Sequence, residues 1–375
     1  MRILYVCDAL AIYGGMERVL VEKANWLAEH GNCEVCLLTV NQGNHPISFS
    51  LHSDVIHDDL DIRFYRQYHL PLWKRLITRH HLHLLFRKRL KKKMRELVPD
   101  IIVCTRLDYL RDLIRIKGGV PLVFESHSSR LSSRFEGDGL LRRLHVWYLQ
   151  SAVRKAQMVV ALTKGDADEW KKLTPRVCMI PNVAYLNDSG TYSDCMAKSV
   201  IYVGRFCRQK DIGTLLQIWG MVSQRHSEWQ LHIYAGYGEL QEALLGKIDQ
   251  MNARIIVHGP TGKIHEEYMK SSILLLTSFY EPFGLVLPEA MSCGLPVVSF
   301  DCPYGPADII TDGVDGFLIR NRNTEDFTDK VCSLIEDVDM RIQMGRAGLH
   351  SSKRFSVENI MPLWKSLFER ISIKS

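Results

Sequence analysis

Two glutamates eight positions apart are the residues whose type and spacing most directly suggest chemistry. Glu281 and Glu289 lie in the run Phe279-Tyr-Glu-Pro-Phe-Gly-Leu-Val-Leu-Pro-Glu. Because Pro282 disfavours helical backbone in the residue before it, Glu281 is predicted to lie in a loop. Glu289 is then predicted one turn inside the following helix, on the same side as that loop. The two carboxylates can bind hydroxyl groups at the two ends of one ligand, although an ordinary loop with a solvated glutamate is the alternative.

The segment between these glutamates supplies backbone donors. The helix is predicted to begin near Leu285, with Pro288 in its first turn, and to end at Gly294. The amides of Phe283, Gly284 and Leu285 then lack partners at a helix N-terminus, where anions bind well. Gly284 also lets a ligand approach the backbone closely. Carboxylates for hydroxyl groups, with amides for phosphate between them, fit a sugar nucleotide.

A second run, Val203-Gly-Arg-Phe-Cys-Arg-Gln-Lys-Asp211, lies between a predicted strand and a predicted helix. In this loop Arg205 offers a planar fork of donors and Lys210 a compact point charge. The two cations can converge on a diphosphate. The alternative is a pair of exposed basic side chains without a ligand.

The first half of the chain contributes two weaker signals. Gly14 and Gly15 precede a helix, so that the backbone there can press against a phosphate or sugar. His127 follows the apolar run Leu122–Phe124, where a polar residue at the carboxyl end of a strand can bind a sugar hydroxyl and stabilise charge. A lone histidine is as often a structural residue.

The elements that must position these residues alternate along the chain. Short apolar strands, each followed by an amphipathic helix, predict parallel strands with helical crossovers. The alternation stops at Pro181-Asn182, the polar stretch Asn187–Lys198 is typical of a linker, and the pattern resumes at Ser199–Val203. We therefore predict an α/β protein with two Rossmann-like domains, residues 1–185 and 186–352, followed by a helical segment, 353–375. The ligand crevice is expected at the carboxyl ends of the strands, which face each other.

Composition excludes several classes of protein. A chain of 375 residues with 46% hydrophobic and 24% charged residues suits two globular domains rather than a disordered chain. We expect no signal peptide, and no stretch reaches the roughly 18 apolar residues that a membrane-spanning helix needs. The ten cysteines are scattered, mostly in apolar runs, which predicts reduced core thiols rather than disulfides.

One segment is strongly basic. Ten lysines and arginines lie between Lys74 and Arg95, with no acidic residue before Glu96, and Trp73 and several leucines are interleaved. Such a segment can lie on an anionic membrane surface. The alternative is a helix that packs its apolar side on the first domain and leaves its basic side in water. Nucleic acid is not expected as a partner, because no recognisable nucleic-acid-binding module accompanies the basic residues.

Together these motifs resemble family 4 of the retaining glycosyltransferases, which has the GT-B architecture of two facing Rossmann-like domains. The resemblance covers nearly the whole chain. The paired glutamates around Pro-Phe-Gly and the downstream Asp-Gly-x-x-Gly-Phe-Leu are its specific part. The matching segments are Gly14-Gly15, His127, Ile180–Asn182, Gly204–Lys210, Glu281–Glu289 and Gly305–Leu318. The resemblance implies that the C-terminal helix crosses back to the first domain.

The resemblance also implies roles for the residues of the second domain. Glu281 would contact hydroxyl groups of the donor sugar, and Glu289 those of the ribose. The amides of residues 283–285 would bind sugar and phosphate. Arg205 and Lys210 would neutralise the diphosphate as it leaves.

Fewer roles are implied elsewhere. Gly15 would approach the phosphates from the first domain, His127 would lie beside the donor sugar, and the loop containing Gly259 would lie near the base. Two departures are visible. The family often has Pro-Glu where this chain has Pro306-Ala-Asp308, and the stretch Asn41–Leu97, where acceptor recognition usually lies, matches nothing.

No metal or other cofactor is expected. Cys33-x-x-Cys36 has no second pair to complete a zinc site. Asp59-Leu-Asp61 and Asp166-Ala-Asp168 match a metal-binding pattern of a different glycosyltransferase architecture. Their surroundings do not match it, and we interpret all four as solvated acids. The cationic side chains would replace a metal ion.

The function implied is transfer of a sugar from a nucleoside-diphosphate donor, a UDP-sugar by preference, with retention of anomeric configuration. The acceptor would be a saccharide or a lipid-linked saccharide in cell-surface polysaccharide synthesis. We expect a cytoplasmic enzyme that can lie peripherally at the inner face of the cell membrane. The alternatives are a nucleotide-sugar epimerase or phosphorylase of the same architecture and a non-catalytic sugar-nucleotide-binding subunit. We assign catalysis to His127, Glu281, Arg205 and Lys210, and donor binding to Gly14, Gly15, Gly259, Phe283, Gly284, Leu285 and Glu289.

Overall fold

The structure, a computed structural model, describes residues 1–130, 139–251 and 253–372. These residues form two compact α/β units. The first consists of Met1–Val183 together with Val357–Ser375, and the second of Ala184–Ser356. The chain therefore passes between the units two residues before the first predicted boundary and four residues after the second.

Within the described residues, the first unit contains seven parallel strands in one sheet. The strands are β1 Arg2–Cys7, β2 Glu34–Thr39, β3 Val55–Asp59, β4 Ile101–Cys104, β5 Leu122–Ser126, β6 Met158–Ala161 and β7 Val177–Met179. Their order in the sheet is β3-β2-β1-β4-β5-β6-β7. The helices of this unit are α1 Gly15–His30, α2 Leu72–Leu97, α3 Leu107–Ile116, α4 Leu140–Ser151, α5 Lys164–Lys171 and α13 Val357–Ser372.

The second unit contains six parallel strands. They are β8 Ser199–Arg205, β9 Gln230–Gly236, β10 Ile255–His258, β11 Ile273–Leu276, β12 Val297–Phe300 and β13 Gly316–Ile319, in the order β10-β9-β8-β11-β12-β13. The helices are α6 Ile212–Arg225, α7 Gln241–Asp249, α8 Ile264–Met269, α9 Val286–Ser292, α10 Pro306–Ile309, α11 Thr324–Glu336 and α12 Val338–Ser352. Both sheets thus have the doubly wound strand order of a Rossmann-like fold, which confirms the predicted class.

Burial on both faces explains why the strands are apolar without alternation. Along β1, the side chains of Ile3 and Tyr5 join one hydrophobic cluster, while those of Leu4 and Val6 join another on the opposite face. Successive residues of a strand point to opposite faces, so a sheet covered by helices on both sides needs apolar residues at every position.

The last helix, α13, belongs to the first unit. Its apolar residues recur at helical spacing, and Ile360, Trp364, Leu367 and Ile371 are buried in the cluster that contains Ile3. This confirms that the C-terminal helix returns to the first domain. The apolar stripe gives the reason, because it can be buried only against another apolar surface.

Three local details differ from expectation or refine it. The edge strand β3 was not predicted, because its sequence, Val-Ile-His-Asp-Asp, is too polar to be recognised as a strand. The long helix α2 buries only Phe86 and Leu90 fully, both in its second half. All ten cysteines are free and nine are buried, with Cys178 half-buried, which confirms the reduced core thiols.

Among the described residues, none of the helices is both long enough and apolar enough to cross a membrane.

Candidate active site

An ion pair in the second unit joins the two motifs that the sequence singled out. Lys210 lies in the turn between β8 and α6, and Glu281 lies in the loop after β11. The ammonium nitrogen of Lys210 is 2.5 Å from Oε1 of Glu281, and the two side chains are only 13% and 5% exposed. The hydroxyl of Ser278 donates a further hydrogen bond of 2.6 Å to the same oxygen. Both predicted residues therefore meet at the carboxyl end of the sheet.

Backbone bonds fix the position of Glu281. Its amide donates to the carbonyl of Pro303, and its carbonyl accepts from the amides of Tyr304 and Gly305 at 2.8 and 3.0 Å. A side chain at Gly305 would place its Cβ only 1.7 Å from the carbonyl oxygen of Phe283. Glycine is thus required there for the loops after β11 and β12 to lie side by side.

The predicted backbone donors follow Glu281 directly. Within the described residues, no recorded hydrogen bond has the amide of Phe283, Gly284 or Leu285 as its donor. Gly284 has a φ of +95°, a conformation that other residues rarely adopt. The helix α9 begins at Val286, one residue later than expected, and has seven residues. Its macrodipole is correspondingly small, so the three amides themselves are the donors available to an anion.

Glu289 lies one turn inside α9, where 9% of its surface is exposed. The buried ring of Tyr268, from α8, lies close to it. Burial first, and then the charge of Glu289, raise the pKa of the Tyr268 hydroxyl, which therefore stays protonated as a donor. The tyrosine was not predicted as part of the site, because nothing in its local sequence distinguishes it from a core residue.

Arg205 and Gly259 lie at the carboxyl ends of their strands, on the same side of the sheet as Lys210. Arg205 is the last residue of β8 and is exposed, and within the described residues no hydrogen bond or ion pair restrains its guanidinium. Gly259 follows β10, three strand positions from β11, which corresponds to about 14 Å. A side chain at Gly259 would meet nothing within 4 Å. The spacing leaves room for an extended ligand between Gly259 and Glu281.

In the first unit, the two glycines begin α1 as predicted. Gly14 is the N-cap residue and Gly15 the first residue of the helix. A Cβ atom at Gly14 would lie 2.2 Å from a carboxylate oxygen of Glu17. Glu17 is buried, so Gly14 makes room for this carboxylate, which the sequence reasoning did not anticipate.

His127 lies beyond β5 in a network of buried charges. Its Nε2 is 3.1 Å from Oε1 of Glu125, although not in hydrogen-bonding geometry, and the side chains are 4% and 1% exposed. Lys23, on α1, is equally buried, and its ammonium nitrogen lies 2.5 Å from the same carboxylate oxygen. The ammonium also lies 3.5 Å from the ring centre of Trp364. Burial alone would raise the pKa of Glu125, but the charges of Lys23 and His127 outweigh it and hold that pKa at about 2.

The segment after β5 is fastened by Asp166, and the prediction that this aspartate is a solvated acid is wrong. Asp166 is buried and accepts hydrogen bonds from the amide of Arg130, the indole of Trp170 and the hydroxyl of Ser126. Burial raises its pKa to about 6 in spite of these donors. It therefore positions the loop that carries His127.

Of the other three aspartates in the Asp-x-Asp pairs, one is hydrogen-bonded within the protein and two are exposed. Asp59 is also not a solvated acid, because it accepts from the amide of Gly43 and the hydroxyl of Thr39 at 2.9 and 3.0 Å. Asp61 and Asp168 are exposed. Within the residues that the structure describes, no three histidine, cysteine or acidic side chains are grouped so that they could hold a metal ion.

The sequence contains a signal from which the buried pair of Lys23 and Glu125 could have been predicted. Lys23 lies three residues after Leu20 and four before Leu27, on the apolar face of α1. Glu125 interrupts the apolar run of β5. A charged residue at a core position needs a partner of opposite charge, so each position could have been matched with the other.

Two family models match the chain. One, described as Glycosyltransferase Family 4, matches residues 13–185, and the other, described as Glycosyl transferases group 1, matches residues 197–337. The matched segments coincide closely with the two units.

Two relatives illustrate the sequence similarity. An uncharacterized glycosyltransferase of Haemophilus influenzae is 27% identical over 366 residues, which is 94% of this chain and 96% of that protein. The amylovoran biosynthesis glycosyltransferase AmsD of Erwinia amylovora is 33% identical over 224 residues, 56% of this chain and 62% of that protein. The second match thus spans less than two thirds of AmsD.

Two solved structures share the fold. A variant of S. aureus TarM in complex with fondaparinux, alpha-GlcNAc-glycerol and UDP has a TM-score of 0.80 at 16% identity, covering 98% of this chain and 99% of that one. Anabaena HepE in complex with UDP-glucose has a TM-score of 0.76 at 18% identity, covering 99% and 100%. At these identities the likeness concerns the fold alone.

Proposed function

The chain belongs to glycosyltransferase family 4, and we propose that it transfers a hexose from a UDP-sugar to a saccharide acceptor with retention of anomeric configuration. The observation that carries this proposal is the buried pair of Lys210 and Glu281 beside the amides of residues 283–285. A cation for phosphate, a carboxylate for sugar hydroxyls and unpaired amides meet there at the carboxyl end of a Rossmann-like sheet, where ligands of such sheets bind.

Donor binding would exchange partners within this group. Lys210 and Glu281 neutralise each other at 2.5 Å. A sugar nucleotide would bring a diphosphate for Lys210 and hydroxyl groups for Glu281, so each charge gains a new partner and neither is left buried alone. Glu289, near the buried Tyr268, would bind the ribose hydroxyls.

The cations would act mainly in the transition state. As the bond from the anomeric carbon to the phosphate oxygen breaks, negative charge builds on the diphosphate. Lys210 and the amides of residues 283–285 are donors held in place before the reaction, and fixed donors of this kind are usually the largest source of rate enhancement. Arg205 is exposed and would reach the diphosphate as a mobile side chain. Each tenfold gain in rate requires about 1.4 kcal/mol of stabilisation of this charge.

The acceptor's proton would leave with the nucleotide. We propose that the acceptor oxygen attacks from the face on which the diphosphate departs and that a phosphate oxygen takes the proton of the acceptor hydroxyl. The glycosidic bond then replaces the bond to phosphate on the same face, which is retention. This route uses no carboxylate as a base and no metal ion, because Lys210 and Arg205 supply the positive charge that a divalent cation would otherwise supply.

The first unit would contribute donor contacts from the carboxyl ends of its own strands. We propose that His127 contacts the donor sugar and that the backbone at Gly14 and Gly15 approaches the phosphates. The buried carboxylate of Glu125, 3.1 Å from the imidazole Nε2 and paired with Lys23, supports this role for His127, because it favours a positively charged ring beside the sugar.

The neighbours' names support the choice of donor and pathway. HepE was solved with UDP-glucose, TarM with UDP and alpha-GlcNAc-glycerol, and AmsD is named for amylovoran biosynthesis. We propose by analogy that this chain takes a UDP-sugar and acts in cell-surface polysaccharide or glycolipid synthesis, on a saccharide or lipid-linked acceptor at the inner face of the membrane.

A membrane-facing surface is proposed for the first half of α2 together with α4. The side chains of Leu72, Trp73 and Leu76 are 63–78% exposed beside Lys74 and Arg75. From α4, three large apolar side chains are also more than half exposed: Leu140, Leu144 and Trp147. The two helices lie within reach of each other, since the guanidinium of Arg79 is 3.5 Å from the ring of His145.

The second half of α2 is instead a helix that packs its apolar side on the first domain. Phe86 and Leu90 pack into the core, while Arg89 donates to the carbonyl of Leu60 and Lys93 pairs with Asp58 at 2.6 Å. Arg89 and Lys93 are thus engaged within the unit, while Lys88, Lys91 and Arg95 remain exposed as the basic side of a packed helix. The surface proposed for lipid is the first half, where apolar side chains are exposed beside the basic ones.

One experiment separates the proposed transfer from its alternatives. The protein is incubated with radiolabelled UDP-sugars and GDP-sugars, with and without a polyprenyl-diphosphate-linked saccharide. Transfer moves label into the lipid-linked product only when the acceptor is present. A nucleotide-sugar epimerase would produce an isomeric sugar nucleotide without acceptor. A binding subunit would retain the donor and change nothing, and either outcome would overturn the proposed function.

A further inference from the structure

A third basic residue, Arg322, lies behind the pair of Lys210 and Glu281. It follows β13 at the end of a short turn, where Asn321 and Arg322 both have positive φ angles, +53° and +52°. Residues other than glycine adopt this backbone conformation at a cost, and persist in it only when their surroundings hold them. The contacts of the Arg322 side chain provide that hold.

The guanidinium of Arg322 is enclosed on several sides. It lies 4.3 Å from the ring centre of Phe279 and 4.3 Å from that of Phe300. Its Nη1 donates to the carbonyl of Ser278 at 2.8 Å, and its Nη2 to the carbonyl of Thr277 at 3.1 Å. Nη2 also donates to the carboxylate of Asp211. Only the planar fork of an arginine can reach both loops at once.

These acceptors belong to the two segments that form the donor site. Asp211 directly follows Lys210, and Thr277 and Ser278 lie just before Glu281. The hydroxyl of Thr277 donates to the carbonyls of Lys210 and Asp211 at 3.3 and 3.1 Å. The hydroxyl of Ser278 donates to Glu281. Arg322 therefore fastens the turn that carries Lys210 to the loop that carries Glu281.

We propose that Arg322 is a positioning residue that holds Lys210 where charge develops on the leaving diphosphate. This inference rests on the proposed function, because it assumes the role given there to Lys210. Arg322 need not touch the donor. It sets the distance between two loops whose charged side chains do, and a displacement of about 1 Å at such a site can lower the rate by up to a hundredfold.

The test is a double-mutant cycle between Arg322→Gln and Lys210→Met. Arg322→Gln in the otherwise unchanged protein should lower kcat at least about tenfold, and should weaken UDP binding more than UDP-sugar binding, because UDP carries the extra charge that Lys210 meets. In the Lys210→Met background the same substitution should change kcat by less than about twofold. Equal losses in both backgrounds would show that Arg322 acts independently of Lys210 and would overturn the proposal.

Two further variants separate positioning from general stability. Arg322→Lys keeps the charge but not the fork, and should behave like Arg322→Gln. Arg320→Gln, in the same turn but at an exposed residue, is the matched control and should leave kcat unchanged. Thermal melting of each variant confirms folding. If Arg322→Lys retained full kcat, or if only the melting temperature fell, the fork would have no positioning role.

Chemical rescue gives an independent readout. Free guanidinium ion can occupy the gap that Arg322→Ala leaves between Phe279 and Phe300, and should restore part of the lost kcat without affecting Lys210→Met. Absence of rescue in a folded Arg322→Ala protein would count against the proposal. If the unchanged protein neither binds UDP nor transfers a sugar, the proposed function fails first, and the two failures are thereby distinguished.

Discussion

At the scale of single residues, Lys210 and Glu281 form an ion pair but are proposed to bind different parts of the donor, the diphosphate and the sugar. In the proposed function the lysine would leave the carboxylate to bind a diphosphate, so Glu281 would compete with the donor for it. Glu281→Gln should therefore lower turnover at least about tenfold while leaving UDP affinity equal or higher. Lys210→Met should lower both. Calorimetry with UDP and a turnover assay measure the two effects separately.

Arg208→Gln is the matched control for that comparison. Arg208 lies in the same turn as Lys210 but is exposed, and should alter neither quantity by more than about twofold. Near-normal turnover of both Glu281→Gln and Lys210→Met would remove the donor-site assignment.

The buried pair of Lys23 and Glu125 makes a prediction about pH. Burial lowers the pKa of Lys23, so keeping the lysine charged offsets part of what the pair gains. The pKa of Glu125 is about 2 in the folded chain against an ordinary value of 4.5, so the ionised carboxylate stabilises the fold above about pH 4.5. This stabilisation, on the order of 3 kcal/mol, should be lost as the pH falls from about 4.5 towards 2. Glu125→Gln should remove that component of the pH dependence of unfolding. Urea titrations at a series of pH values measure it.

At neutral pH, Glu125→Gln also leaves the Lys23 charge buried without its carboxylate. The expected loss of unfolding free energy is about 3 kcal/mol or more, and Lys23→Met in the same chain should recover much of it. Lys171→Met breaks an exposed pair with Asp168 and should have almost no effect. An equally small effect of Glu125→Gln would contradict the buried charge pair.

The sequence was informative about residues whose motif is local. Lys210, Glu281 and the amides of residues 283–285 could be predicted to form one site, because strand ends and loop types place them at one sheet edge. Arg322 and Asp166 could not. Their importance comes from contacts across long stretches of chain, such as that of Arg322 with Asp211, which no local pattern encodes.

At the scale of elements, the loops after β11 and β12 depend on one glycine. Gly305→Ala would place a methyl group 1.7 Å from the carbonyl oxygen of Phe283, so one of the two loops must move. We expect lower turnover together with a loss of unfolding free energy of about 1–3 kcal/mol. Gly246→Ala, in α7 with nothing within 4 Å, is the control and should be neutral or slightly stabilising. Unchanged kinetics of Gly305→Ala would show that the loops are not tightly coupled.

In helix α2, the sequence pattern was not sufficient to predict which residues are buried. Its sequence is basic throughout, and both the membrane and the packed-helix interpretations were open. The structure divides it, since its two fully buried residues, Phe86 and Leu90, both lie in the second half, where they meet the core. Binary patterning of the whole segment could not locate this division, because exposed leucines in the first half resemble buried ones in the second.

The proposed membrane surface can be tested with vesicles. Replacing Lys74, Arg75 and Arg79 by Gln should weaken binding to phosphatidylglycerol vesicles by roughly two orders of magnitude, at about 1 kcal/mol for each basic residue. Replacing Leu72, Trp73 and Leu76 by Ser should weaken binding to anionic and neutral vesicles alike. Val314→Ser, an exposed apolar residue of the second unit, is the control. Sedimentation measures binding, and UDP affinity should stay constant throughout.

If the unchanged protein binds neither type of vesicle, or binds neutral and anionic ones equally, α2 is a solvated helix and the surface has another purpose.

At the scale of the whole molecule, the succession of strands and helices was sufficient to predict two Rossmann-like units, whereas the return of the last helix was implied by the family resemblance. Parallel strands buried on both faces give continuous apolar runs, which are easy to recognise. The strand β3 was not predicted because it lies at the edge of its sheet, where its residues are less buried and need not be apolar. Boundaries between units shifted by a few residues, since a polar linker marks only the neighbourhood of a crossing.

The most direct test of retaining transfer is the anomeric configuration of the product. The protein is supplied with an α-linked UDP-sugar and a saccharide acceptor in the presence of excess chelator, and the new glycosidic bond is examined by proton NMR. We predict an α-linked product together with free UDP, formed without added metal and at least about tenfold more slowly with Lys210→Met. A β-linked product, a requirement for a restored divalent cation, or a sugar that remains on UDP as its epimer would contradict the account.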